Sequence, residues 1–252
     1  MQLTSTNNPI GLIYALKKFY LYYIKIDVTY NILMKIKIIA EIGINHNGSL
    51  SLAKKLILKS KKCGADAVKF QSYITDELVS KKLFKKKNYN ILKKCELSFD
   101  SQKKIKIFCK QNNIEFISSP FDLESLNFLK KLKLKTIKIP SGEITNLLLI
   151  KKCAQDFDNV ILSTGMSSLQ EIKQAVKIIS KINKRLTILH CVSQYPTPID
   201  KLNLSFLEIL KKNFKFPLGL SDHSKSIIAP ALSLSLGSTV IEKHITLDNK
   251  MK

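Results

Sequence analysis

Ile36-Lys37-Ile38-Ile39-Ala40-Glu41-Ile42-Gly43-Ile44 is an apolar, β-branched run interrupted only by Lys37 and a carboxylate at Glu41. It lacks the strict polar alternation of a half-exposed strand and reads as a strand buried on both faces, as in a parallel sheet. Seven similar runs follow, at Ala67–Gln71, Glu115–Ser119, Thr136–Pro140, Val160–Ser163, Leu186–Val192, Pro217–Ser221 and Thr239–Thr246. Helical patterns separate them. Leu52, Leu56 and Ile57 share a face after Gly48-Ser49, and Ser168 to Glu171 is a capping box leading into Ile172, Val176 and Ile179. Eight strand–helix steps predict an α/β fold of the (β/α)8 TIM-barrel type, for which about 250 residues is an ordinary length. No G-x-G-x-x-G or Walker sequence supports a doubly wound nucleotide fold. The barrel is expected over residues 34–252. Residues 1–33 fill no barrel step and read as an N-terminal extension, with Met34 resembling a natural start.

Of the 252 residues, 45% are hydrophobic and 24% charged, as in ordinary globular proteins, but the net charge is +23. Nearly all of the excess is lysine, and Arg185 is the sole arginine. Readers of base edges lean on arginine, so the excess reads as a solvated surface that attracts anionic substrates, and no nucleic-acid partner is expected. Five cysteines without a C-x-x-C pair read as reduced core residues of a cytoplasmic protein. The apolar stretch from Ile10 to Ile26 is broken by Lys17, Lys18 and Lys25, so neither a membrane span nor a secretory signal is expected.

The four histidines, His46, His190, His223 and His244, all fall at the downstream ends of predicted strands, the face on which barrels bind ligands. His223 ends the seventh strand and His244 the eighth. Strands seven and eight are neighbours, so this pair can converge on a divalent ion, with Asp222 and Glu242 placed to orient the rings. A hydrogen-bonded core histidine is the competing reading. Lys69, Lys138 and Lys243 interrupt apolar strands, where an ammonium needs an anion or acts as a depressed-pKa amine. Ser141, Ser163, Ser193 and Ser221 follow or close strands, where hydroxyls and turn N–H groups can cradle phosphate. Glu41 is a carboxylate inside a strand, costly unless paired or used for proton transfer.

The ordered blocks Ala40–Gly48, Ala67–Gln71, Ser118–Asp122, Lys138–Asn146, Ser163–Met166, His190–Pro198, Gly219–Ser224 and Ile241–His244 closely resemble the sialic acid synthase family, which includes legionaminate and pseudaminate synthases. The resemblance implies condensation of phosphoenolpyruvate with an open-chain N-acylated amino sugar. The expected product is N-acetylneuraminate from N-acetylmannosamine, or N,N'-diacetyllegionaminate from a 2,4-diacetamido-trideoxymannose. It implies a divalent metal, Mn²⁺ or Mg²⁺, on His223 and His244. It implies Glu41 in acid/base work, and Lys69, Lys138, Ser141, Ser163 and Ser221 on phosphoenolpyruvate. Ser193 stands where some members place an asparagine at that subsite, and Gln71, Glu143 and Tyr195 match positions near the sugar. A cytoplasmic homodimer is implied as well. Measured against the family, the last barrel helix and a C-terminal antifreeze-like domain are expected to be absent. Two other readings stand beside it: a Schiff-base aldolase using Lys69 or Lys138, and a non-catalytic, shortened chain that binds a partner.

Overall fold

A computed structural model describes residues 36–248, and the expectations for residues 1–33 lie outside that range. The eight strands are β1 (Lys37–Gly43), β2 (Ala67–Ser72), β3 (Glu115–Pro120), β4 (Thr136–Ile139), β5 (Asn159–Ser163), β6 (Leu186–Cys191), β7 (Leu218–Asp222) and β8 (Ser238–His244). They close in sequence order, and parallel pairing of β8 with β1 completes the barrel. The expected TIM-barrel architecture is the observed one.

The connecting helices are α1 (Leu50–Lys62), α2 (Thr75–Leu78), α3 (Lys86–Cys95), α4 (Phe99–Gln111), α5 (Leu123–Lys131), α6 (Leu147–Asp156), α7 (Leu169–Ile182), α8 (Phe206–Asn213) and α9 (Ile228–Ser235). Local chemistry sets their starts. Ser49 accepts from the Leu52 N–H to cap α1, Asp122 from Ser125 to cap α5, and the Ser168–Glu171 capping box opens α7. The main apolar layer lies between strands and helices, where Ile38, Ala40 and Ile42 meet Ala53, Leu56 and Ile57. Inside the barrel Ile39, Ala67, Ile117, Ile161, Leu189 and Val240 form a second, smaller core. Ridding these layers of water is the main stabilising term, at roughly 25 cal/mol per Å² of apolar surface.

The long interval after β2 holds α2 and α3. Leu78 and Leu92 from these helices face the cavity described below. Among the described residues no helix is long and apolar enough to cross a membrane.

Candidate active site

Strand parity builds the site. Alternate side chains of each strand point inward, and the inner core residues mark that face. Two residues nearer the carboxyl ends, the same faces carry Glu41, Lys69, Ser119, Ser163, Cys191 and Glu242. Lys138 of β4 and Ser221 of β7 complete the ring, so each strand contributes at least one polar or ionisable side chain to a cavity of about 400 Å³.

The charges at this level are paired. Glu41 and Lys69 are register partners in the β1–β2 ladder, and Lys69 Nζ lies 2.9 Å from Glu41 Oε2. Lys138 Nζ donates to Ser163 Oγ at 2.6 Å. Glu242 stands between the lysines, with Oε2 3.7 Å from Lys69 Nζ and Oε1 3.7 Å from Lys138 Nζ. Ser221 Oγ donates to Glu242 Oε1 at 2.8 Å. Among the described residues no donor is well aligned on Glu41 Oε2 or Glu242 Oε2, so their contacts with Lys69 are ionic rather than directed hydrogen bonds. All four residues are at most 4% exposed. Two buried ammoniums and two buried carboxylates are tolerable together because they balance.

Burial and charge shift these groups in different directions. Burial raises the Glu41 pKa, Lys69 opposes it, and Glu242 adds to it, leaving Glu41 above the usual carboxylate range. Burial works against the Lys69 ammonium but is outweighed by Glu242 and Glu41, so its pKa is raised. Lys138 is lowered, chiefly by burial. For Glu242 the pull of Lys138 and Lys69 overcomes burial and holds it ionised. A protonatable carboxylate beside a permanently ionised one is a pattern of acid/base sites.

Above the floor, the rings of His223 and His244 lie 5.5 Å apart, and Tyr195 packs 4.0 Å from His223 and 5.7 Å from His244. His223 Nδ1 donates to Val192 O at 2.8 Å, and its Nε2 faces Ser221 Oγ at 3.5 Å. Cys191 Sγ, 3.9 Å from Nδ1, is a weaker partner. Burial first, then His223 and Lys69, push His244 down to about 3, so its imidazole is neutral. Among the described residues no group of three or more His, Cys, Asp or Glu converges as a metal cage. Burial opposes the charged form of His223, but Cys191 and Val192 outweigh it and raise its pKa. Two imidazoles with open positions beside them suit a catalytic ion completed by water and substrate.

Beside Lys138 and Ser163 the cavity is bounded by a tight turn. Gly165 N–H donates to Ser141 Oγ at 2.9 Å, and a Cβ on Gly165 would press into Ser193 Oγ and lie 3.1 Å from Cys191 Sγ. Gln71 also lines the cavity, with Leu78, Leu92 and Phe121 as an apolar wall.

Of the residues singled out from sequence, Glu41, Lys69, Gln71, Lys138, Ser141, Ser163, Ser193, Tyr195, Ser221, His223 and His244 line this cavity. Glu143 is not in the lining, and its carboxylate accepts from the Asn146 side chain in the turn before α6. Three expectations are corrected. Lys243 turns away from the barrel interior and pairs with Asp222, so neither acts at the mouth. Asp222 caps the Ser224 N–H instead of orienting an imidazole, and Glu242 serves the lysines. His46 and His190 are structural: His46 Nδ1 accepts from Gly48 N–H and its ring stacks on Phe70, while His190 Nε2 bonds Leu202 O. All five cysteines are free and buried, but Cys191 also lines the cavity, which its apolar sequence context concealed.

Residues 56–252 match the model of a family described as NeuB family. The chain belongs to the NeuB family. It is 44% identical over 232 residues to the N,N'-diacetyllegionaminic acid synthase of Campylobacter jejuni, covering 86% of this chain and 69% of that one. It is 45% identical over 216 residues to the uncharacterised protein MJ1065 of Methanocaldococcus jannaschii, covering 85% of this chain and 63% of the relative. The chain therefore spans about two thirds of the length of these curated relatives. Among solved structures it resembles the N-acetylneuraminic acid (sialic acid) synthetase of Leptospira borgpetersenii, in complex with citrate, with a TM-score of 0.81 and 39% identity over 85% of this chain and 74% of that one. These NeuB relatives include synthases of sialic, legionaminic and pseudaminic acids.

Proposed function

We propose that this NeuB barrel is the catalytic domain of a nonulosonic acid synthase, joining phosphoenolpyruvate to an open-chain N-acylated amino sugar. In this reading C3 of phosphoenolpyruvate attacks the sugar aldehyde, water adds at C2, and phosphate leaves with the bridging oxygen. The observation that carries it is the pair of fully buried ammoniums, Lys69 and Lys138, on the cavity floor beneath two facing imidazoles.

Lys69 and Lys138, with the hydroxyls of Ser141, Ser163 and Ser221 and the turn at Gly165 and Ser193, would hold the carboxylate and phosphate of phosphoenolpyruvate. Glu41 is the proton carrier, since burial and Glu242 raise its pKa against the pull of Lys69 and favour its protonated form. Gln71 and Tyr195 lie on the same cavity wall and suit the sugar hydroxyls. His223 and His244 would hold the divalent ion, Mn²⁺ or Mg²⁺. Such an ion supplies Lewis-acid polarisation of the aldehyde oxygen.

N-acetylmannosamine, giving N-acetylneuraminate, is the simplest sugar for this site. A second reading, a 2,4-diacetamido-trideoxymannose giving N,N'-diacetyllegionaminate, is favoured by the apolar wall of Leu78, Leu92 and Phe121, which suits a methyl and a second acetamido group. Identity to the Campylobacter jejuni synthase supports the same choice. Phosphate release from phosphoenolpyruvate, measured with each sugar and followed by mass spectrometry of the product, tests both. No release with either sugar would reject the synthase reading. A borohydride-trapped keto-acid adduct on Lys69 or Lys138 would point to aldolase chemistry instead.

A further inference from the structure

We propose that Glu242 is a built-in counter-anion of the cavity floor, holding Lys69 and Lys138 in place when no anion is bound and limiting how tightly any anion can bind there. The inference rests on the reading that Lys69 and Lys138 form the anion subsite.

Glu41 contacts Lys69, whereas Glu242 lies 3.7 Å from both ammoniums. At that distance it neutralises charge without taking up hydrogen bonds. Each ammonium has three N–H donors. Lys138 commits one firmly, to Ser163 Oγ at 2.6 Å, and its other contact, to Ile139 O, is 3.5 Å long. Lys69 meets Ser119 Oγ at 3.4 Å besides its pairing with Glu41. Donors on both lysines are therefore left for an incoming oxygen, and no protein group has to be displaced first.

Glu242 has nowhere to go when that oxygen arrives. It is 4% exposed, is carried by a central part of β8, and is tied through Oε1 to Ser221 Oγ at 2.8 Å. The bound anion and the carboxylate must then share the same two cations inside the barrel. Like charges at such range repel strongly where water is excluded. A floor without Glu242 would hold the anion more firmly and release it more slowly, which would burden a reaction that ends by releasing phosphate. A purely structural glutamate would behave in the opposite way, since its loss would loosen the lysines and weaken anion binding.

The test is calorimetric titration of the full chain with phosphoenolpyruvate and with inorganic phosphate. Glu242→Gln keeps the size and can still accept from Ser221, and it is expected to tighten both dissociation constants by about tenfold or more. Glu242→Asp, which keeps the charge, is expected to stay within about threefold of the parent. Unchanged or weaker anion binding by Glu242→Gln would overturn the inference while leaving the synthase reading intact. Failure of the unaltered chain to bind either anion would remove both. Should Glu242→Gln not fold, the comparison moves to Lys138→Gln with and without Glu242→Gln. Adding the second change must then recover phosphate affinity, and further loss would overturn the inference.

Discussion

Glu41 and Lys69 face one another across the β1–β2 ladder, and their charged ends meet 2.9 Å apart inside the barrel. Neither strand alone could bury its charge. The ladder makes each the solution to the other's desolvation, and it places a carboxylate of raised pKa on the cavity floor.

Glu41→Gln removes the charge and the exchangeable proton but little volume. Turnover is expected to fall about a hundredfold or more, while calorimetric binding of phosphoenolpyruvate persists. Loss of binding together with turnover would assign Glu41 to substrate holding.

The two imidazoles predict a metal requirement. Chelation should abolish phosphate release and added Mn²⁺ should restore it. His244→Gln should raise the Mn²⁺ concentration needed for half-maximal turnover by more than about tenfold. Full activity of the chelated chain would exclude an ion at this pair.

Gly165 tests the anion turn. In Gly165→Ala the new methyl would crowd Ser193 Oγ and Ser141 Oγ. The KM for phosphoenolpyruvate should rise about tenfold or more, with a smaller change in the KM for the sugar. An equal rise in both would separate this turn from the anion subsite.

Gly48 tests the β1–α1 turn. Its φ is +75°, and a Cβ would collide with the carbonyl oxygen of Lys94 at the end of α3. Gly48→Ala is expected to cost about 2 kcal/mol or more, read as a lower urea midpoint. An unchanged midpoint would show that α3 can move aside.

Acid should destabilise the fold through His46. Burial lowers its pKa from 6.5 to about 4, because the folded ring is held neutral. The unfolded chain binds the proton first, so this contribution is fully present above about pH 6.5 and is lost as the pH falls toward 4. Its size is roughly 3 kcal/mol. His46→Gln should show a visibly shallower loss of stability between about pH 7 and about pH 4 in urea titrations. Parallel curves for the two proteins would contradict this.

Much of the fold was readable because strands buried on both faces must be apolar, and eight such runs separated by helical patterns have few other solutions. Lys69, Lys138 and Glu41 stood out for the same reason, as charges where the strand could not tolerate solvent-facing ones. Strand parity sets the remaining side chains. His244 faces inward, so Glu242 must share its face and Lys243 must point away, where Asp222 receives it. Parity equally sets His190 outward and Cys191 inward along β6. The ends of α2 and α3 could not be placed against the cavity from sequence, because loop geometry, not periodicity, brings Leu78 and Leu92 there.

The most direct measurement supplies phosphoenolpyruvate carrying heavy oxygen at its bridging position, together with Mn²⁺ and each amino sugar. If the lysine floor supports condensation with loss of phosphate, the label appears in inorganic phosphate and a nine-carbon acid forms in equal amount. Label retained on a three-carbon product, or no phosphate released with any sugar, would contradict it.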